Sequence, residues 1–416
     1  MKLLILGINY APEKIGIAVY TSDLARSLLQ AGHDVRVLTA KPYYPEWQVQ
    51  HAYRRPFWWS ETCDGVRVLR CPIYVPSHPS GVRRLLHHAS FALSVLVPGL
   101  WSGFRWRPDA VLCIAPSLMA APVGWAAARL AGSIAWLHIQ DFEVEAAVAT
   151  GLLNGNSKAA RLARSVERTI MGLFDRVSSI GPEMCRRLDD LGVPASRIRQ
   201  MRNWADLHAI RPQGAQSPYR QELGITTPYV ALYSGNIANK QGIEIVVAAA
   251  RRLKHRHDLT IVICGDGPNR AALEQQADGC HNIVIAGLQP KDRLSDLLSL
   301  ATVHLLPQKG NAADLVLPSK LTNMLASGRP VVATASAGTG LAREVEGCGL
   351  VTPPEDEVAF ANAIERLLDD ASLRDRCSRA ARQRAEQSWN KEVTVQGFLD
   401  DLSSVVAGVK PVGVSR

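Results

Sequence analysis

The sequence predicts an α/β protein made of two tandem doubly wound domains, followed by a C-terminal helical segment. The chain has 416 residues, the usual length of two or three domains, and 47% of them are hydrophobic, which is enough for a large core. Short β-type runs alternate with helical patterns along nearly the whole chain. That alternation is typical of a parallel sheet covered by helices on both faces.

The first half contains one complete series of these elements. Its predicted strands are Leu3–Leu6, Val35–Thr39, Val66–Arg70, Ala110–Ile114, Ile134–Ile139, Val177–Ile180 and Ile198–Met201. A helical pattern over Ile17–Ala31 ends at Gly32, a residue typical of helix C-termini. The series therefore predicts a first domain over residues 1–205.

The alternation restarts after Trp204. The second set of predicted strands is Val230–Tyr233, Thr260–Ile263, Ile283–Ala286, Val303–Leu306 and Val331–Ala333. A polar, proline-containing stretch at Asn203–Gln216 predicts the junction, and residues 357–408 have helical patterns. We therefore expect a second domain over 206–385, and a C-terminal helix and tail over 386–416 that packs back on the first domain.

Charge and tryptophan are concentrated in the first half. Residues 1–205 hold 24 Lys and Arg against 15 Asp and Glu, a balance of 24 − 15 = +9, whereas the remainder holds 23 of each. Eight of the nine tryptophans lie at or before Trp204. This asymmetry predicts that the first domain faces an anionic surface, although a chance distribution of solvated arginines would give the same counts.

The segment 65–108 carries six arginines and no acid, and it includes the long apolar stretch 85–104. His87, His88 and Pro98 make a transmembrane span an unconvincing interpretation of that stretch. An amphipathic helix lying in a membrane interface, with its arginines on anionic headgroups, is a better one. The alternative is a core helix with an exposed basic flank.

Candidate ligand-binding residues of the second half follow its predicted strands, where doubly wound sheets bind ligands. The first such loop contains Gly235, Asn236, Lys240 and Gln241, and a helix starts soon after it. Small residues let a phosphate approach the backbone, the helix N-terminus offers free N–H groups, and the lysine adds a positive charge. This pattern predicts a diphosphate site, although a glycine and an asparagine before a helix are also ordinary turn residues.

Two further loops of the second half are candidates. Gly265 starts a glycine-rich turn after the next strand, for which we expect a structural role close to the ligand. A Gly- and Ala-rich loop with Asp314 then leads into a helix on which Lys320 and Asn323 share one face. An acid, a cation and an amide together suit a ligand with hydroxyl and phosphate groups, whereas the same residues are also typical of a plain helix start.

In the first half, His138 and Asp141 lie at the end of an apolar strand. A single histidine at such a position is more often structural than catalytic. Polar residues at a strand end of this sheet nevertheless make both residues candidates for the reaction.

Several motifs occur in an order that is specific to one family. They are Leu191-Gly192-Val193-Pro194, Asn203-Trp204-Ala205-Asp206, Lys240-Gln241-Gly242, Gly265-Asp266-Gly267-Pro268 and Pro318-Ser319-Lys320 with Ser327-Gly328-Arg329-Pro330. The chain resembles the retaining glycosyltransferases of family 4, which have the GT-B fold of two Rossmann-like domains. Its runs Gly7–Glu13, Pro42–Trp47 and His138–Asp141 are most similar to the colanic-acid-type exopolysaccharide transferases and to related O-antigen amino-sugar transferases.

The resemblance implies transfer of a sugar, with retention of configuration, from a nucleotide-diphosphate donor held by the second domain. It implies an acceptor held by the first domain, usually a glycan on undecaprenyl diphosphate, and no obligatory metal or other cofactor. GDP-fucose is the donor we expect first. The resemblance predicts no nucleic-acid partner, and it places the protein in the cytoplasm, peripheral on the inner face of the plasma membrane.

The resemblance also assigns residues. Gly16 matches a glycine near the phosphates, and His138 matches a first-domain histidine close to the transferred sugar, with Asp141 a less favoured nucleophile. Asn236 and Gln241 stand where the family usually has basic residues, so Lys240 is the phosphate ligand we expect. Two glutamates spaced eight apart are replaced by Leu315, beside Asp314, and by Asn323, which retains hydrogen-bonding capacity for ribose.

Other functions remain open at this stage. A nucleotide-sugar epimerase has the same two-domain architecture but has no need of a basic, tryptophan-rich face. A non-catalytic nucleotide-sugar-binding scaffold of a polysaccharide assembly complex would tolerate the lost glutamates. A nicotinamide dehydrogenase is excluded because Gly7–Pro12 lacks the G-x-G-x-x-G pattern.

Overall fold

The computed structural model describes residues 1–14, 16–78, 80–149, 154–213, 217–238, 241–310 and 317–409. The chain divides into two compact units. One contains Met1–Met201 together with the segment that starts at Glu392, and the other contains Arg202–Lys391. These divisions fall at 201/202 and 391/392, whereas the sequence predicted boundaries at 205/206 and 385/386.

The first unit is built on an eight-stranded sheet. In the described part its strands are β1 (Lys2–Gly7), β2 (Asp34–Ala40), β3 (Trp59–Cys63), β4 (Val66–Cys71), β5 (Ala110–Ala115), β6 (Ile134–Ile139), β7 (Arg176–Ser179) and β8 (Ile198–Gln200). Their order is β3-β4-β2-β1-β5-β6-β7-β8, and all neighbours are parallel except β3, which runs antiparallel to β4. The order reverses between β1 and β5.

Helices cover this sheet. They are α1 (Ile17–Gln30), α2 (Gly81–Trp101), α3 (Ala121–Ala131), α4 (Glu143–Ala149), α5 (Lys158–Gly172) and α6 (Pro182–Asp190), and the helix α15 (Lys391–Val409) belongs to the same unit. On α15, the ring of Phe398 packs edge-on against Trp136 of β6, and Asp401 pairs with Arg176 and Arg199.

The second unit contains a parallel six-stranded sheet. Its strands are β9 (Tyr229–Ser234), β10 (Leu259–Cys264), β11 (Ile283–Ala286), β12 (Val303–Leu306), β13 (Val331–Thr334) and β14 (Gly349–Thr352), in the order β11-β10-β9-β12-β13-β14. Its helices are α7 (Tyr219–Glu222), α8 (Glu244–Arg252), α9 (Arg270–Ala277), α10 (Leu294–Ser299), α11 (Ser319–Ala326), α12 (Gly340–Val345), α13 (Glu357–Asp369) and α14 (Ala371–Ser388). Here the order reverses between β9 and β12.

The doubly wound α/β fold predicted from the sequence is confirmed. Every strand that the sequence predicted is present, with ends that agree to within one residue. The strands β3 and β14 lie at sheet edges and were not predicted.

Helix α2 packs closely on α3 in the first unit. Its residues His87, Phe91, Val95 and Gly99 recur every four positions and are buried. Gly99 and Gly103 are essential to this contact: a Cβ added at Gly99 would lie 2.8 Å from Val123 Cγ1, and one at Gly103 would lie 2.4 Å from the Ala127 carbonyl oxygen. The two glycines therefore set the position of the helix on its neighbour.

Candidate active site

The sheet of the second unit places two loops at its point of strand-order reversal. The loops after β9 and β12 both leave the carboxyl edge of the sheet, because these strands are parallel neighbours. Doubly wound sheets bind their ligands at this position. The predicted residues Gly235, Asn236 and Gln241 lie in the loop after β9.

Glycines allow the loops after β9 and β10 to approach each other closely. A Cβ added at Gly265 would lie 1.9 Å from the carbonyl oxygen of Gly235, and one at Gly267 would lie 2.3 Å from that of Ile237. Ile237 N also donates to Asp266 O at 2.8 Å. The glycine-rich turn after β10 thus supports the loop after β9 directly.

Lys320 reaches this loop from α11. Its Nζ donates to the Tyr233 hydroxyl at 2.8 Å and lies 4.2 Å from the centre of the same ring. A Cβ added at Gly235 would lie 2.9 Å from that ammonium. The glycine therefore leaves the cation beside the loop backbone, an arrangement that suits an anion.

Tyr233 positions the lysine. It is the penultimate residue of β9, and its hydroxyl donates to Asn236 O at 2.6 Å. Burial raises the pKa of the Tyr233 hydroxyl, so the group stays protonated and bonds to both partners at once. Nothing in the local sequence indicates this role, because a tyrosine in an apolar strand is usually a core residue.

The remaining predicted residues of this unit differ in where they lie. Asn323 is half-buried on α11, one turn after Lys320, and Gln241 is half-buried with its Oε1 shielded from solvent. Lys240 and Asp314 lie outside the described residues. The structure therefore brings Gly235, Lys320 and Gly265 together.

In the first unit, Glu13 connects the loops that follow β1 and β2. Its carboxylate accepts hydrogen bonds from Tyr43 N, Tyr44 N and Asn9 Nδ2, each at 2.9 Å. Burial raises the pKa of this carboxyl group, while the two backbone donors act in the opposite direction. The Tyr44 ring lies beside Gly16, which precedes α1 with a φ of 66°.

His138 is buried near the end of β6. Its Nδ1 lies 2.9 Å from the Ser178 hydroxyl oxygen, which also accepts a hydrogen bond from Trp136 Nε1 at 2.8 Å. Burial lowers the pKa of His138 to about 4, so the imidazole is neutral at neutral pH. Asp141 is half-buried in the loop that follows this strand.

Both halves of the chain match known families. Residues 16–204 match the family described as "Glycosyl transferase 4-like domain", and residues 228–370 match "Glycosyl transferases group 1". WcaI of Escherichia coli (strain K12), named as a colanic acid biosynthesis glycosyl transferase, is 39% identical over 413 residues. That similarity covers 97% of this chain and 100% of the relative.

The chain belongs to the group 1 glycosyltransferases. Two solved structures support the GT-B fold of this glycosyltransferase. A sucrose-phosphate synthase from Thermosynechococcus elongatus superposes with a TM-score of 0.75 at 19% identity, covering 98% of this chain and 99% of the other. Anabaena HepE, whose structure is a complex with UDP, gives 0.71 at 17% identity and covers 97% and 100%.

The glycosyltransferase also contains an acidic group that sequence reasoning missed. Glu167 of α5 is buried, and burial together with nearby Glu145 and Glu143 raises its pKa to about 7. Glu143 in turn accepts a hydrogen bond from Leu118 N at 2.6 Å, which links the segments after β5 and β6. Glu143 and Glu145 lie on α4, and the fold brings them close to Glu167 of the next helix.

The raised pKa of Glu167 predicts a pH-dependent stability. The unfolded carboxyl group ionises near its ordinary pKa, so wild type loses stability as the pH rises from about 4.5 to about 7. Glu167→Gln removes this penalty. At each pH, the stabilisation is the free energy of unfolding of the variant minus that of wild type. We expect this difference to be ~1–2 kcal/mol larger at pH 8 than at pH 5.

Urea unfolding of both proteins at the two pH values measures this difference. Histidines that ionise in the same range are present in both proteins, so their contribution cancels. A gain that is equal at the two pH values, or larger at pH 5, would contradict the prediction.

Proposed function

We propose that this glycosyltransferase moves a sugar from a nucleotide-diphosphate donor to a glycan linked to undecaprenyl diphosphate. The pathway is exopolysaccharide or O-antigen synthesis, and GDP-fucose is the first donor to test. The observation that carries the proposal is the placement of Lys320 and Gly235 at the strand-order reversal of the second unit. The name of the full-length relative WcaI supports an exopolysaccharide pathway.

The proposed donor site stabilises the leaving group. When the bond between the sugar C1 and the diphosphate oxygen breaks, negative charge develops on that oxygen, and a fixed ammonium beside it lowers the barrier. Lys320 is such a group because Tyr233 already holds it. The acceptor hydroxyl oxygen then bonds to C1 and gives its proton to the departing phosphate.

The proposed acceptor site belongs to the first unit. The loops after β1 and β2 are held together by Glu13, and neutral His138 lies near the end of β6. A neutral imidazole both donates and accepts hydrogen bonds, as recognition of sugar hydroxyls requires. This role for His138, and that of Asp141, follow the family resemblance.

The outer face of α2 supports binding to a membrane surface. Val82, Leu86, Leu93, Val97 and Trp101 follow one another at helical spacing, and all are exposed. The exposed fractions of Leu93 and Val97 are 72% and 71%. Such an apolar stripe on a folded domain marks an interaction surface.

Neighbouring residues extend this stripe. Trp58 Nε1 donates to Ser94 O at 2.8 Å, so the exposed Phe57 and Trp58 lie beside the helix. Arg83, Arg105 and Arg107 are exposed and make no ion pair within the described part of the chain. Unpaired arginines at the ends of an apolar stripe suit anionic lipid headgroups.

The same helix meets the length and composition of a membrane span. The continuous stretch Gly81–Trp106 has a mean hydropathy of 1.2 over its most apolar window, and 22% of that window is buried. Phe91 and Val95, however, are fully buried in the core of the unit. A helix that uses one face for this core has only its other face for lipid, which favours interfacial binding.

The proposed reaction is tested by transfer of radiolabelled sugar onto lipid-linked glycans in membrane extracts. Donors are GDP-fucose and a panel of UDP- and dTDP-sugars. Label in the lipid fraction from one donor supports the proposal and identifies the sugar. Nucleotide binding without transfer would instead indicate a scaffold, and release of an altered free nucleotide sugar would indicate an epimerase.

The membrane proposal predicts the effect of placing charge on the stripe. We expect Leu93→Glu/Val97→Glu to weaken partition onto vesicles that contain phosphatidylglycerol by about 10- to 100-fold, because two apolar contacts become charged. Cosedimentation measures the partition. The control Leu288→Glu/Val358→Glu changes two exposed apolar residues of the second unit and should bind as wild type does.

Vesicles of pure phosphatidylcholine test the arginine contribution. Wild type should bind them more weakly than the anionic vesicles, and salt should reduce that difference. Equal sedimentation of wild type and the Leu93/Val97 variant would refute the proposed surface.

A further inference from the structure

We propose that Lys309 binds the diphosphate of the donor, at the end of the β9 loop opposite to Lys320. The inference rests on the proposed function, since it takes the donor to be a nucleoside diphosphate sugar. Three observations carry it: where Lys309 lies, what fixes its backbone, and its lack of a partner among the described residues.

Lys309 lies at the strand-order reversal of the second unit. It is the third residue after β12, and it contacts the loop after β9. A Cβ added at Gly242 would lie 3.2 Å from Lys309 Cγ and 3.4 Å from its backbone nitrogen. Lys320 lies against Gly235 at the start of the same loop, so the two lysines flank it.

A buried hydroxyl group fixes the backbone just before Lys309. Thr334, at the end of β13, accepts a hydrogen bond from Gln308 N at 2.6 Å and donates one to Gln308 O at 2.7 Å. Its side chain is 1% exposed. The position of the lysine is therefore set by the neighbouring strand.

Within the described part of the chain, the lysine has no protein partner. It is half-buried, and its ammonium makes neither an ion pair nor a hydrogen bond with any described residue. A partly buried ammonium without a partner is unfavourable, and a bound anion would satisfy it.

The ligand that suits this site is a diphosphate. Its negative charges are spread over two phosphates, so two separated cations bind it better than one. Asn236 and Gln241 within the loop are neutral, whereas Lys320 lies against the start of the loop and Lys309 against its end.

The test compares nucleotides that differ by one phosphate. The probes are GDP, UDP and dTDP with their monophosphates, bound to the full chain in a calorimeter. We expect Lys309→Met to weaken binding of the diphosphate that wild type binds most tightly by about 10- to 30-fold, because one charge-assisted contact is lost. Binding of the corresponding monophosphate should weaken by less than about threefold. Methionine keeps an aliphatic stem against Gly242, and Lys309→Arg should restore binding to within about threefold of wild type.

Lys254→Met is the matched control. Lys254 is an exposed lysine of the same unit in the turn before β10, at the amino edge of the sheet, and its variant should bind as wild type does. A Lys309→Met variant that binds the diphosphate as wild type does overturns this inference and leaves the proposed function intact. Equal weakening of mono- and diphosphate, or a lowered Tm without ligand, would show that the lysine is structural and would also overturn it. A wild type that binds none of the nucleotides refutes the proposed function, and this inference with it.

Discussion

Lys320→Met is expected to lower kcat/KM for sugar transfer by at least about 100-fold. The ammonium is held beside Gly235 by the Tyr233 hydroxyl and ring, so it needs no rearrangement to meet the charge of the leaving diphosphate. Preorganised groups of this kind contribute about 2.7–4 kcal/mol to transition-state stabilisation. Methionine retains the aliphatic stem and removes only the charge.

Two further variants define the cause of this loss. Tyr233→Phe keeps the ring under the ammonium but removes the hydroxyl, and we expect a decrease of about 10-fold. Lys254→Met again serves as the surface control. Transfer rates with the donor that the isotope-transfer assay identifies measure all three, and a Lys320→Met enzyme within about threefold of wild type would exclude a role in the reaction.

Gly265→Ala is expected to lower the free energy of unfolding by about 1–3 kcal/mol and to abolish measurable nucleotide binding. The new Cβ would lie 1.9 Å from the carbonyl oxygen of Gly235, and backbone atoms move less easily than side chains. The loop after β9 must shift to relieve this contact. That shift displaces the backbone from Lys320.

Gly287 provides a matched comparison for this variant. It follows β11 directly, as Gly265 follows β10, but a Cβ there would meet only Arg270 Nη1 at 3.6 Å. Gly287→Ala should therefore bind nucleotide normally and lose less than about 1 kcal/mol of stability. Chemical denaturation and calorimetry measure both quantities, and equal effects of the two substitutions would disprove the packing argument.

The sequence predicted every strand that lies inside the sheets, most of which carry apolar runs, and also the edge strands β8 and β11. The two missed strands lie at edges. In β3 the side chains are exposed or half-buried, so no apolar run marks it, and β14 begins with a glycine and has mostly half-buried residues. A strand without an apolar run is defined by its pairing with a neighbour, which a local pattern does not reveal.

The site was predictable to a similar extent. Gly235 and Gly265 lie in loops that follow strands, Lys320 lies in the first turn of the helix before β13, and the topology brings these segments together. Sequence reasoning missed Thr334 and Glu13 because each bonds to a loop that is remote in sequence. It missed Tyr233 because that residue acts through the loop geometry that its hydrogen bond to Asn236 O fixes. Their residue types alone are equally common in cores and turns.

The close packing of α2 on α3 has a consequence for how the first unit would meet a lipid surface. Gly99 and Gly103 fix the rotation of α2 about its own axis, so the direction of its apolar stripe is fixed relative to the strands of the sheet. If the stripe lay in lipid, as proposed, the carboxyl ends of β1 and β2 would be held at one height above the headgroups. The loops held by Glu13 would then reach only those acceptor sugars that lie at that height. The orientation of α2 would thus determine the length of the glycan that the protein accepts, in addition to its binding to the membrane.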